Sequence, residues 1–211
     1  MFKPFFRPQA PGRFLPLAVI ALVAGLCREV QAQDPGPAPV AKALCDALLN
    51  AMKEGPSVSY AARRDQLAPE ISRDLDLPLM TRLVVGPSWR TLAPADREQL
   101  VDAFSAYSIA TYAQRFRCYS GERFEVAPTA SPSASGDSIV HTKLFTGDGS
   151  PVQLDYLMRK NGDRWQIMDV FLNGTISELA ARRSEYSSVL REGGAPALIS
   201  LLKKKTAEFG G

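Results

Sequence analysis

The hydrophobic pattern changes character twice along the chain. It opens on an unbroken run of apolar and small residues at 14–26 (FLPLAVIALVAGL). From Val40 the spacing turns helical. Val40, Leu44, Ala47, Leu48 and Ala51 recur on one side of a helix predicted over 40–52, which Gly55-Pro56 ends. Residues 59–67 read as a short second helix and 69–74 as a further turn. Leu77–Val85 (LPLMTRLVV) reads as a short buried helix, with Pro78 in its first turn and Gly86-Pro87 at its end. Trp89-Arg90 starts another stretch. Pro94 opens the longest helix, predicted to run to about Tyr119. Asp96 and Glu98 lie in its first turns, where free N–H groups and the helix dipole favour anions. Leu100, Phe104, Tyr107 and Thr111 share one face, and Val101, Ile109, Tyr112 and Phe116 widen it. A helix apolar around so much of its girth is expected at the centre of the fold.

The period then drops to two. Four strands are predicted, over 122–127, 138–145, 152–160 and Arg164–Leu172, separated by turn-rich segments of which Asn161-Gly162-Asp163 is a strong hairpin signal. In the third strand Val152, Leu154, Tyr156 and Met158 share a face. In the fourth, simple alternation puts Trp165, Ile167 and Phe171 on one face and Met168, Val170 and Leu172 on the other. A strand apolar on both faces is covered on both sides or lines a cavity. Asn173-Gly174-Thr175 fits a glycosylation sequon, and more simply a turn plus a helix cap. Thr175-Ile176-Ser177-Glu178 reads as a capping box that starts a helix to about Arg191, stopped by Gly193-Gly194. Pro196 opens a last helix, with Leu198, Leu201 and Leu202 inward. Helices, an antiparallel meander and helices again give an α+β class. The expected architecture is one domain with a curved antiparallel sheet of four or slightly more strands packed on helices. It would form a cystatin-like or nuclear-transport-factor-like cone around an internal apolar cavity.

Charge and cysteines refine this picture. Lys3, Arg7 and Arg13 precede the apolar run, and Val30-Gln31-Ala32 follow it as a peptidase would require, so residues 1–32 read as a secretory signal peptide cleaved near Ala32. The run is shorter than the roughly 20 residues of a spanning helix. An uncleaved anchor is the alternative, and Leu26 before Cys27 departs from a lipobox. The chain carries 25 basic and 22 acidic residues. The leader holds four of the bases (Lys3, Arg7, Arg13, Arg28) and one acid (Glu29), which leaves 21 of each. The basic balance thus belongs to the leader and gives no reason to expect nucleic acid as a partner. Residues 33–211 suffice for a single domain with a real core. Cys45 and Cys118 remain there; an oxidising compartment permits a bridge, but two cysteines do not make a disulfide scaffold, and free cysteines are often simply buried.

Catalytic groups are sparse, and no catalytic residue, metal ligand set or cofactor is assigned. His141 is the one histidine, too few for a usual zinc cluster. No nucleophile elbow, zinc-protease motif or phosphate loop accompanies it. Asp155 and Asp169 lie in adjacent predicted strands, where a salt link to Arg82, Arg159 or Arg164 is the plain expectation. Bulky apolar side chains are what the chain has in plenty, as an ordinary core or as the lining of a cavity for a lipid.

Several segments in order carry a resemblance. Leu75-Asp76-Leu77 is followed by Met80, Arg82, Gly86, Trp89 and Arg90. After these come PADREQLVDAF from Pro94, Tyr119-Ser120-Gly121, PVQLDYLMR from Pro151, WQIMDV from Trp165 and a Gly194–Leu202 tail. Together they resemble the MlaC/toluene-tolerance family of periplasmic lipid carriers that serve an inner-membrane ABC transporter. Asn173-Gly174 and Met168 depart from the family pattern. The run from Asp169 to Leu190, with the LLKKKTAEF tail, is most similar to the hopanoid-biosynthesis-associated branch, HpnM. The resemblance implies a periplasmic, non-enzymatic carrier of a hopanoid or glycerophospholipid between inner and outer membranes. Its partners would be the inner-membrane transporter complex and an outer-membrane lipid acceptor or exporter. A scaffold protein of a hopanoid system, without cargo, is the alternative. Expected lipid-lining residues are Leu79, Leu83, Phe104, Tyr107, Val140, Leu154, Tyr156, Ile167 and Val170, with Arg82 and Arg90 at the mouth or a partner contact.

Overall fold

Helix α1, Ala38–Glu54, buries Ala41, Leu44, Cys45, Leu48 and Ala51 along the stripe its spacing predicts. The computed structural model describes residues 34–210; the predicted leader, 1–32, lies outside them. A short 3₁₀ turn, Gly55–Ser57, leads into α2. Buried Arg63 clasps that turn by donating to the carbonyl oxygens of Gly55 at 2.8 Å and Val58 at 3.0 Å. Helix α2, Tyr60–Asp74, is continuous, where a short helix and a separate turn were expected. Pro69 removes only the bond to Asp65, and both residues lie on the exposed face, where water can take the freed carbonyl. Helix α3, Leu77–Val85, starts where Asp76 accepts the Leu79 N–H at 3.0 Å. It ends at Gly86 in the left-handed region (φ 67°), and Arg183 packs where a side chain would begin.

A 3₁₀ segment, Gly86–Thr91, precedes α4, Pro94–Arg115. Helix α4 packs on α2, α3 and α5. It stops four residues short of the expected Tyr119. Phe116 leaves helical geometry (φ −102°, ψ 52°), and its ring continues a stack from Tyr112 (5.9 Å) to Phe124 (6.3 Å). The exit is therefore set by aromatic packing against the first strand, which local propensity does not reveal.

The sheet has strands β1 Arg123–Val126, β2 Ser131–Pro132, β3 Ser138–Val140, β4 Thr142–Phe145, β5 Pro151–Asn161, β6 Arg164–Leu172 and β7 Ile176–Ser177, all antiparallel. The expected strand over 138–145 is interrupted at His141, yet β3 and β4 keep one register against β5. Strands β1 and β2 both lie along the far side of β3 and β4, so the four-strand meander survives with β7 added at the β6 edge. The curved sheet packs against helices, as the α+β class requires.

One feature of β6 departs from simple alternation. Its register against β5 shifts at Met168: Leu157 faces Asp169, but Met158 faces Ile167. The extra residue is a bulge. It moves Ile167 onto the core face with Val170 and Leu172, opposite Met158, Tyr156 and Leu154, which corrects the expected separation of Ile167 from Val170 and Leu172. The same bulge docks the α2–α3 junction, since the Asp76 N–H donates to the Ile167 carbonyl at 2.9 Å.

The β6–β7 turn takes Asn173 (φ 53°) and Gly174 (φ 70°) through the left-handed region. Because Ile176-Ser177 still pair with β6, the helix cap falls two residues later than Thr175. Ser177 accepts the Ala180 N–H at 2.9 Å, and α5 runs Glu178–Glu208. Gly194 (φ 64°, ψ −159°) kinks α5 where a stop was expected, and the helix resumes through Pro196. The start of α5 is clamped by buried Asp169. Its Oδ1 accepts the N–H of Val170 (2.8 Å) and Leu179 (3.1 Å), and its Oδ2 accepts the Ser177 hydroxyl (2.5 Å). Burial pushes this carboxyl above its ordinary range despite those three donors. Asp169→Ala is expected to cost about 2–3 kcal/mol of stability, because three donors lose their acceptor. Urea unfolding of the variant measures it, and a loss below about 0.5 kcal/mol, the range of ordinary surface changes, would contradict the clamp.

Candidate functional site

The apolar faces of β5 and β6 do not close fully on α4. Between them lies a pocket of about 70 Å³ lined by Leu154 and Tyr156 of β5, Val170 of β6, Thr111, Tyr112, Arg115 and Phe116 at the end of α4, and Glu178 and Arg182 of α5. Its polar wall atoms are largely occupied. The Thr111 hydroxyl donates to the Tyr107 carbonyl at 2.7 Å, and the Tyr156 hydroxyl lies 3.7 Å from Cys45 Sγ behind the pocket. Burial raises the pKa of both Tyr112 and Tyr156, so their phenols stay neutral.

The rim is ionic. Arg115 donates to Glu178 Oε1 at 2.8 Å, and Arg182 lies 3.5 Å from Glu178 Oε2. Burial alone would raise the Glu178 carboxyl, but the two guanidiniums outweigh it and hold the group below its usual value. The Arg182 guanidinium also lies 5.2 Å over the Tyr107 ring, which stacks on Phe209. Outside this cluster an open groove of about 290 Å³ continues past Tyr107, Leu172, Ile176, Ala181 and Glu185, sharing Arg115, Glu178 and Arg182 with the inner pocket. Ile176 is half exposed there.

Of the residues expected to line a cavity, Leu154, Tyr156 and Val170 meet at the inner pocket and Tyr107 stands in the outer groove. Phe104, Val140 and Ile167 are buried in the core cluster. Leu79 and Leu83 lie elsewhere, in two adjoining surface grooves that share Arg82 and Trp89, one of them also containing Arg90 and Arg183. Tyr112 and Phe116 were legible only as a wider apolar face of α4. Glu178 was legible only as the acid of the expected capping box, Arg182 only by its i, i+4 spacing from it, and Arg115 had no signal.

Asp155 corrects another expectation. It takes no arginine partner: Arg159 makes a two-bond pair with Asp137 instead (2.7 and 2.9 Å). Asp155 Oδ2 receives Gln153 at 2.8 Å and lies 3.1 Å from His141 Nδ1, while His141 Nε2 lies 3.2 Å from the Ser131 hydroxyl. The order Ser131, His141, Asp155 resembles a nucleophile relay. The residue after Ser131 is Pro132, however, which has no N–H to offer an oxyanion. His141 falls opposite Asp155 in the shared β3–β4 register. The chain of contacts therefore ties β2 and β5 together at the break between β3 and β4. Among the described residues no group of three or more histidine, cysteine or acidic side chains is arranged to hold a metal ion.

A curved sheet facing a helix across an apolar pocket, with charge confined to the rim, defines a binding protein that needs no reacting group. Residues 42–204 match the family model described as MlaC protein. The chain belongs to the MlaC family, whose members are non-catalytic periplasmic lipid carriers. It is also similar to a phospholipid-binding protein from Ralstonia solanacearum solved in complex with a phospholipid. That likeness has 22% identity and a TM-score of 0.70, over 83% of this chain and 99% of that one, and shows a shared fold.

Cys45 and Cys118 are both free; Cys45 is buried and Cys118 exposed. Burial pushes the Cys45 thiol up to about 12. A thiol reagent at pH 8 is expected to label Cys118 in the native protein and Cys45 only after denaturation. Equal labelling of the two, or of neither before reduction, would contradict this placement.

Proposed function

We propose that this protein carries a hopanoid or glycerophospholipid between inner and outer membranes, as the soluble part of an intermembrane transport system. In this reading residues 1–32 are the secretory leader, removed near Ala32. The inner-membrane ABC transporter complex loads or unloads the carrier, and an outer-membrane acceptor or exporter is its other partner. The observation that carries the reading is the apolar pocket between α4 and the β5–β6 face, in a chain of the MlaC family.

Leu154, Tyr156 and Val170, with Tyr112 and Phe116, receive the lipid's apolar body. Each CH₂ withdrawn from water contributes about 0.8 kcal/mol, so a sixteen-carbon chain offers roughly 12 kcal/mol before ordering costs. The pocket of about 70 Å³ is well below the roughly 300 Å³ at which ligand pockets begin. Loading therefore requires α4 and the start of α5 to part from the sheet. Expected lining residues now held in the core, Phe104, Val140 and Ile167, would be uncovered by that parting. Arg82 and Arg90, remote from the pocket, suit a partner contact better than a mouth.

The small pocket also favours a second reading, in which the protein is a scaffold of a hopanoid system and holds no cargo. Lipids released from protein purified from its native periplasm without detergent, identified by mass spectrometry, separate the two. The carrier reading expects stoichiometric lipid, or uptake of lipid from vesicles when the isolated protein is empty. It also expects Leu154→Trp with Val170→Trp to fold and to lose about fivefold or more in retained lipid, since overfilling such a site costs about 1–3 kcal/mol. An empty protein that takes up nothing from vesicles leaves the scaffold reading standing.

A further inference from the structure

Two guanidiniums and one carboxylate meet where the inner pocket opens into the outer groove. Arg115 and Arg182 both face Glu178, so the cluster keeps one net positive charge. The nearest other acid in the groove, Glu185, is already paired with Lys205. The Arg182 side chain is only 15% exposed, and it meets Glu178 at a distance that makes a charge contact rather than a well-formed hydrogen bond. A guanidinium presents five donors in a planar fork that fits two oxygens of a phosphate at once. An amphipathic molecule with its apolar body between α4 and the sheet would place its polar group at this rim. Arg82, Arg90 and Arg183, which have no acidic partner among the described residues, lie on an open groove away from the pocket.

We infer that Arg115 and Arg182 form a binding site for the phosphate group of a lipid, and that Glu178 is the internal counter-ion this phosphate displaces. The inference rests on the carrier reading and deepens it. It selects a phosphate-bearing lipid over a neutral polycyclic one, because a neutral alcohol headgroup could not replace Glu178 as counter-ion to the two arginines. While the phosphate is absent, Glu178 satisfies the guanidiniums and keeps the start of α5 drawn towards α4. When the phosphate arrives, that link is exchanged for two charge-assisted contacts to the ligand. Headgroup recognition and opening of the rim are thereby one event.

The test uses two lipids with identical chains that differ only in the phosphate. The full mature protein is incubated with vesicles containing equal amounts of dioleoyl phosphatidic acid and dioleoylglycerol, separated from them, and its retained lipid quantified by mass spectrometry. The expected result is a preference of about tenfold for phosphatidic acid, the size of one charge-assisted contact. The preference should fall to parity in Arg115→Gln with Arg182→Gln. In Glu178→Gln, which removes the competing charge, it should rise. Because that rise runs opposite to any loss from misfolding, it keeps the test decisive even if the double variant folds poorly. Equal retention of the two lipids by the unaltered protein overturns the phosphate site and leaves the carrier reading intact. Retention of neither overturns the phosphate site, and the carrier reading falls with it when the protein also takes up no hopanoid from vesicles. Binding of glycerol 3-phosphate at least as tight as that of phosphatidic acid would assign the arginine pair to a free phosphate ester, and would overturn its assignment to a lipid.

Discussion

The placement of the two α5 charges at the pocket, Glu178 and Arg182, depends on the Asp169 carboxylate. This side chain is buried on β6 and accepts from the first turn of α5 and from the hydroxyl that caps it. It fixes both where α5 begins and how it faces. Glu178 is the first residue of that helix, and Arg182 follows one turn later on the same side, so both project over the pocket. Burying a carboxylate carries a desolvation cost, seen in its raised protonation tendency, and the three donors offset much of it. A serine or asparagine at this position would reach fewer of those donors. The bulge at Met168 is part of the same device, because it sets the facing of β6 on either side of the clamp.

The pocket itself follows from a mismatch in packing. Helix α4 is held by α2, α3 and α5, while its last turn diverges under the stack of Tyr112, Phe116 and Phe124. The gap left against Leu154, Tyr156 and Val170 is apolar and too small to be a finished ligand site. The contacts across this gap are dispersive, and the one ionic link between α4 and α5 lies at its rim. The kink at Gly194 divides α5 into two helical segments, and only the first of them borders the pocket.

The opposite face of β5 shows why a familiar arrangement of side chains need not carry chemistry. Ser131, His141 and Asp155 lie within contact distance in order, but their spacing follows from sheet register alone. A histidine opposite an aspartate in an antiparallel pair, with a serine on the next strand, produces the contacts as cross-strand neighbours. What acyl transfer needs besides is a set of donors for the oxyanion, and Pro132 removes the customary one.

Much of this was legible in the sequence, because the features that carried it are local. Leu77–Val85 and Arg164–Leu172 were placed with their observed bounds: a capped helix and a strand ending in a tight turn are written in adjacent residues. The α+β order, the meander and the apolar supply of the β5 face were legible for the same reason, and so were Leu154, Tyr156 and Val170 as residues of one pocket. What local pattern could not supply was decided by partners distant in sequence. Pro69 stays within α2 because the Asp65 carbonyl it leaves unbonded is on the exposed face. The expected strand breaks at His141, which is tied across the sheet. Ile167 changes face through a bulge whose register is set by β5, and the cap of α5 moves to Ser177 because β7 extends the sheet first. The ionic rim belongs to this second group. Arg115 and Glu178 lie 63 residues apart, and no periodicity links a helix end to a later helix start. The clamp on Asp169 places Glu178 and the end of α4 places Arg115, so the pair forms only in the folded chain.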